Sequence, residues 1–206
     1  MSKRTGDLRL FWPIGIAFTL LSAAAGIGWT HGPDVFVMRA TRSRSSDLLD
    51  ALGGSLSTLG ALEVSGALLL VLTAWLYKSG RRRLAGRLLL AFLLSGLLEY
   101  LLKHFLPVPQ IPSVYEQAED FAPLATVERA YPYPSGHALR ATIVLGALYL
   151  LGRSGPLRAR IALVLLGLLA SRVYLGVHWV SDVVGGALMG AASVLWAFGK
   201  EERGWR

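Results

Sequence analysis

Six apolar stretches, at 11–29, 55–77, 84–106, 135–151, 157–176 and 179–198, leave this chain few folds to choose from. A bilayer core about 30 Å thick is crossed by a helix of about 20 residues. Each stretch is near that length. In lipid, every backbone N–H and C=O must be satisfied within the segment, so an apolar span reads as a helix. The pattern predicts an all-α fold: an integral membrane six-transmembrane-helix bundle, with residues 1–206 as a single domain. The first stretch shows no small-residue cleavage site and five more follow it, so it is expected to remain as a span. The fourth is the least clean, because Arg140 lies inside it.

Charge supplies the orientation. Only 17% of the residues are charged, against roughly 25% in an average soluble domain, yet the net charge is +8. Of the 21 Lys and Arg, 14 fall in the N-terminal segment, at 78–87, at 152–160 and in the C-terminal segment, with just three acids: Asp7, Glu201 and Glu202. An even number of spans puts these segments on one side, and basic residues are retained on the cytoplasmic side. The expectation is a multi-pass cell-membrane protein with both termini cytoplasmic. Topology thereby accounts for the basic balance, and no nucleic-acid partner is expected, since no reading motif accompanies the charge. There is no cysteine, which excludes disulfides and thiolate metal sites.

Two outer loops are long. Residues 47–52, Asp-Leu-Leu-Asp-Ala-Leu, predict a short interfacial helix within the loop 31–54. Residues 107–134 carry six prolines and read as an irregular, functional segment. Its acids Glu116, Glu119, Asp120 and Glu128 read as a solvated stretch, with a lid as the alternative.

That loop ends at Pro134-Ser135-Gly136-His137, the outer start of the fourth span. A helix start presents backbone N–H groups and the positive end of the dipole. Ser135 adds a hydroxyl, and Gly136 lets an anion approach the backbone. The motif reads as an anion cradle beside an imidazole, or as a capped helix start with an interfacial histidine.

A second motif runs Ser171-Arg172, then His178, then Asp182, across the end of span five and the start of span six. On a helix, residues four apart share a face. Asp182 can then fix one ring N–H of His178 and leave the other nitrogen to attack, the orienting logic of a catalytic triad. Arg172 supplies a fork suited to phosphate. Lys103 lies near the outer end of span three, one turn after Glu99; it reads either as a snorkelling lysine or as part of the same site. By topology, Lys103, His137, Arg172, His178 and Asp182 converge on one membrane face. His31 and His104 read as loop and interface residues. A metal bound by His137, His178 and Asp182 is disfavoured by the neighbouring cations. The glycines Gly185, Gly186 and Gly190 read as close helix contacts.

These residues resemble the type 2 phosphatidic acid phosphatase superfamily. Its signature is a Lys, six residues and Arg-Pro; then Pro-Ser-Gly-His; then Ser-Arg, five residues, His, three residues and Asp. The second and third parts are complete at Pro134–His137 and at Ser171, Arg172, His178 and Asp182. The first departs, since Lys103 is kept but Gln110-Ile111 stands where Arg-Pro is expected. The resemblance implies a phosphatase in which His178 becomes a phosphohistidine and Asp182 orients it. His137 protonates the leaving oxygen and then activates water. Lys103, Arg172, Ser135 and the Gly136 backbone hold the phosphate. No metal or other cofactor is implied. The implied partner is a membrane lipid phosphate: a polyprenyl diphosphate, preferred because such carriers are discharged on the outer face, or phosphatidylglycerophosphate or phosphatidic acid. The rival reading is a non-catalytic lipid-phosphate binder or transporter, which the missing arginine favours. Arg140, about one turn after His137, reads either as a replacement for that arginine on the substrate phosphate, or as a headgroup contact or a partner of Glu99 or Glu63.

Overall fold

The computed structural model describes residues 8–42, 46–115 and 131–199. They form eight helices: α1 (Leu8–Gly26), α2 (His31–Arg42), α3 (Asp47–Thr58), α4 (Leu62–Lys78), α5 (Arg82–Phe105), α6 (Gly136–Leu151), α7 (Gly155–Tyr174) and α8 (Val180–Gly199), with a 3₁₀ turn at Ser113–Tyr115. The acidic residues 116, 119, 120 and 128 lie outside the described residues.

Local chemistry sets the helix ends. Ser46, Ser135 and Ser154 cap α3, α6 and α7, each accepting from the N–H three residues on. Gly176 closes α7 from the left-handed region, at φ 74°. The N–H groups of Gly176 and Val177 then return to the carbonyls of Val173 and Arg172, at 3.1 and 3.3 Å. This glycine-terminated wrap satisfies orphan carbonyls and turns the chain sharply into α8.

Packing builds an all-α membrane bundle of six long helices, α1, α4, α5, α6, α7 and α8, around a core that includes Leu69, Leu76, Leu88, Leu139, Ile143, Val144 and Met189. Among the described residues, α1, α5 and α8 are each long and apolar enough to cross a bilayer, and α3 with α4 passes together as a fourth, bent span. The apolar α6 has 16 residues, and α7 has 20 but carries Arg158, Arg160 and Arg172. The outer surfaces keep large apolar side chains such as Ile16, Leu20, Leu70, Val71, Leu93, Leu97, Leu163 and Leu166 exposed, as a lipid-facing bundle requires. Two buried hydroxyls on α4 are satisfied along their own helix: Ser65 donates to the Ala61 carbonyl at 2.6 Å and Thr73 to that of Leu69 at 2.9 Å. The helix α8 presses on α6 through glycine: a Cβ at Gly190 would lie 2.7 Å from the Leu139 carbonyl oxygen. The expected close contact is therefore real, and small residues are what permit it.

Three boundaries differ from those expected. The second span does not run unbroken from 55 to 77: residues 59–61 break it, and α3 meets α4 at a 48° bend. The first helix stops at Gly26, and a turn through Gly28, at φ 80°, leads into α2. The loop read at 31–54 holds α2 and most of α3, each of 12 residues, rather than one short helix, and both pack against α7. His31 is accordingly not a loop residue; it opens α2 and sets its ring edge-on to Trp179 at 5.6 Å.

Candidate active site

The start of α8 organises the site. Asp182 reaches back to accept the backbone N–H of Trp179 at 3.0 Å, the acidic half of a capping box. The same oxygen, Oδ2, lies 3.3 Å from Nδ1 of His178. The cap thus holds the carboxylate still, and the carboxylate in turn holds the imidazole. Asp182 has no solvent exposure. The main chain of His178 is fixed as well, since its N–H donates to the Arg172 carbonyl at 3.2 Å across the Gly176 turn. The spacing of Ser-Arg to His to Asp therefore has a physical basis: one turn ends α7, and one helical turn separates the paired side chains.

The start of α6 docks directly on this unit. The Ser135 N–H donates to the Asp182 carbonyl at 2.9 Å, and the Ser135 hydroxyl accepts from the Ala138 N–H at 3.4 Å. Ser135 is therefore the cap of α6, and its hydroxyl proton can still donate to an anion. Gly136 meets an anion too, but that anion is internal: a Cβ added there would overlap the Glu99 carboxylate and lie 2.7 Å from an Arg140 guanidinium nitrogen. His137, the next residue, is half-buried.

The cations arrive from three elements. Lys103, on α5, donates to the Pro132 carbonyl at 3.3 Å and lies 3.7 Å from Glu99, while its own carbonyl accepts from Tyr131 at 3.0 Å. It thus ties α5 to the segment leading into Pro134-Ser135-Gly136-His137. Arg172, on α7, donates to the Ser57 hydroxyl at the end of α3. Both cations are 2% exposed, too deep for snorkelling. Arg140, on α6, forms a 2.8 Å ion pair with Glu99 and donates through Nε to the Gly60 carbonyl at 3.3 Å. Glu99 is among the partners expected for it from the sequence.

Lys103, Ser135, Gly136, His137, Arg172, His178 and Asp182 are thus brought to one end of the bundle by shared contacts. His104 stays apart, with Nδ1 2.9 Å from the Tyr100 carbonyl. Among the described residues, no group of three His, Asp or Glu side chains converges as metal ligands do. The sequence reading missed several residues. Asp34, on α2, accepts from the backbone N–H of Ser181 at 2.9 Å and from its hydroxyl at 2.7 Å, capping α8 beside Asp182. Trp179 anchors the same corner, donating from its indole to the Pro109 carbonyl at 2.8 Å. Ser57 and Gly60 enter from the α3–α4 break. The only signal for Asp34 was an acid in an otherwise weakly patterned loop. For Ser57 and Gly60 there was none.

Comparison with known proteins bears on the fold and the family. Phosphatidylglycerophosphatase B of Bacillus subtilis (strain 168) is 28% identical over 182 residues, spanning 84% of this chain and 85% of that protein. The crystal structure of the first transmembrane PAP2 type phosphatidylglycerolphosphate phosphatase from Bacillus subtilis superposes with a TM-score of 0.73 at 24% identity, covering 95% of this chain and 98% of that one. Aquifex aeolicus LpxE superposes with a TM-score of 0.59 at 23% identity, covering 81% and 94%. The PAP2 superfamily profile matches residues 84–205, more than half of the sequence, and the chain belongs to that superfamily.

Proposed function

We propose that this chain hydrolyses a lipid phosphate at the outer membrane face by way of a phosphohistidine, without a metal ion. The observation that carries the reading is the His178–Asp182 pair, 3.3 Å apart and locked by the Trp179 cap. With Nδ1 occupied by the carboxylate, Nε2 is the nucleophile. It attacks phosphorus as the bond to the lipid oxygen breaks, and His137 gives that oxygen a proton. Water then attacks the phosphohistidine as His137 takes its proton, which releases inorganic phosphate and restores His178. Lys103 and Arg172 balance the developing charge, with Ser135 and the Gly136 amide at the α6 start. These fixed cations do the electrostatic work that a metal ion does in other phosphatases.

The substrate is amphiphilic, since a site at the outer end of a bundle can take a phosphate while its tail stays in lipid. The relative named phosphatidylglycerophosphatase B puts phosphatidylglycerophosphate beside polyprenyl diphosphate and phosphatidic acid as the substrates to try. The outward orientation rests on the basic residues at 78–87 and 152–160, at the opposite helix ends from the site. Phosphate release by the purified chain from each of the three lipids, in EDTA, tests the reading. Binding without release from any of them would instead favour a non-catalytic lipid-phosphate binder.

A further inference from the structure

We infer that the elbow joining α3 to α4, residues 57–61, is a positioning element of the active site, holding Arg172 through Ser57 and seating His137 and Arg140 through Gly60. The elbow precedes residue 84, where the family match begins, and belongs to none of the three signature motifs. The inference rests on the phosphatase reading above for the roles of Arg172 and His137.

Two contacts carry it. The buried Ser57 hydroxyl accepts from Nη1 of Arg172. A guanidinium swings on a long flexible stem, and a fixed acceptor inside the protein limits where its fork points. Three residues later, Gly60 lies against the backbone of His137: a Cβ there would be 2.8 Å from the His137 Cβ, 2.9 Å from its carbonyl oxygen and 3.0 Å from its Cα. These are atoms of the first turn of α6 and cannot swing aside as a flexible side-chain tip can. The Gly60 carbonyl also accepts from Nε of Arg140 at 3.3 Å, and Arg140 grips Glu99. The elbow is held from below by α3 on α7. There Asp50 accepts the Tyr174 hydroxyl proton at 2.7 Å, and Leu56 sits over Gly167. The bend that interrupts the second span is therefore what brings a hydroxyl to Arg172 and bare backbone to His137.

Among the described residues the positive-φ glycines are Gly28, Gly80 and Gly176, so alanine at position 60 meets no left-handed backbone strain and tests the contact alone. Gly66, on α4, has open space where a Cβ would go and serves as the matched control. Full-length wild type, Gly60→Ala, Gly66→Ala, Ser57→Ala and Ser57→Thr should be purified in detergent. Each is assayed for kcat, KM, the inhibition constant of orthovanadate and thermal stability. Gly60→Ala should lower kcat about tenfold or more by displacing His137, with KM changed less. Ser57→Ala should raise KM and the vanadate constant by about tenfold, and Ser57→Thr, which keeps the hydroxyl, should restore much of the loss. Gly66→Ala should match wild type. Kinetics of Gly60→Ala equal to those of Gly66→Ala, or a Ser57→Ala protein with unchanged KM and vanadate constant, would overturn the inference. If Gly60→Ala does not survive extraction, the Ser57 pair decides. If wild type releases no phosphate, the phosphatase reading fails separately, and calorimetric vanadate binding decides the elbow: Ser57→Ala binding as tightly as wild type refutes it.

Discussion

Glu99 and Arg140 face each other across α5 and α6 in a buried ion pair of 2.8 Å, directly beneath the bare Cα of Gly136. Breaking a buried pair strands a charge, which typically costs about 3–5 kcal/mol, while replacing both partners with apolar residues costs far less. Lys103 also lies 3.7 Å from Glu99, so Arg140→Ala should lower stability by less than this full cost, and Glu99→Leu with Arg140→Leu, which strips Lys103 of its carboxylate, should not recover it. Thermal denaturation in detergent measures both. A fully stable Arg140→Ala protein with kcat/KM reduced tenfold would instead place Arg140 on the substrate phosphate.

Replacing the proposed nucleophile should separate chemistry from folding. His178 is buried, with its Nδ1 3.3 Å from Asp182 at a helix start. His178→Ala is expected to insert and purify normally but release no phosphate. Asp182→Asn keeps an oxygen for the Trp179 N–H yet removes the charge that orients the ring, so kcat should fall by about a hundredfold or more. A His178→Ala enzyme with even a tenth of wild-type turnover would end the phosphohistidine mechanism.

Chelation and vanadate bear on the electrostatics. If Lys103 and Arg172 stabilise the transition state, activity should persist after complete removal of divalent metals. Vanadate, which adopts the five-coordinate geometry of phosphoryl transfer, should inhibit competitively. Activity lost in EDTA and restored by Mg²⁺ or Zn²⁺ would assign that role to a metal.

Much of the site was legible because its chemistry is local. His178 and Asp182 are one helical turn apart, and Ser135 caps the helix that carries His137. Periodicity and capping rules reach that far. The bundle was legible for a similar reason, since span length follows from bilayer thickness. The region from 31 to 61 was not. Its helices mix polar and apolar residues, and Gly53, Gly54 and Gly60 blur the end of one helix and the start of the next. Its importance lies in contacts more than a hundred residues away, such as Ser57 with Arg172 and Asp34 with Ser181, which leave no local pattern. Arg140 shows the same limit: its position on α6 followed from the sequence, whereas its pairing with Glu99 required α5 to be placed.

Orientation can be read with single cysteines, because the chain has none of its own. Phe105 lies at the site end of α5 and is 78% exposed, whereas Ser79 lies in the turn between α4 and α5. A cysteine at position 105 should react with an impermeant maleimide on intact cells, and one at position 79 only after permeabilisation. The reverse pattern would turn the site toward the cytoplasm.

The cap from α2 offers a last test, because it acts on the site from outside the signature. Asp34 is buried, and both its oxygens are engaged by Ser181 at 2.9 and 2.7 Å, one residue before Asp182. A carboxylate here satisfies an orphan N–H and meets the positive end of α8. Loss of such a cap costs about 1–2 kcal/mol. Asp34→Ala should therefore lower the melting temperature modestly and, by loosening the first turn of α8, lower kcat as well. Asp34→Asn can still accept from the N–H, so it should keep most of the stability while losing the charge. Ser181→Ala removes only the hydroxyl contact and should have the smallest effect. If Asp34→Ala melts lower but turns over at the wild-type rate, the cap serves the fold alone, and the Trp179–Asp182 contact suffices to hold His178.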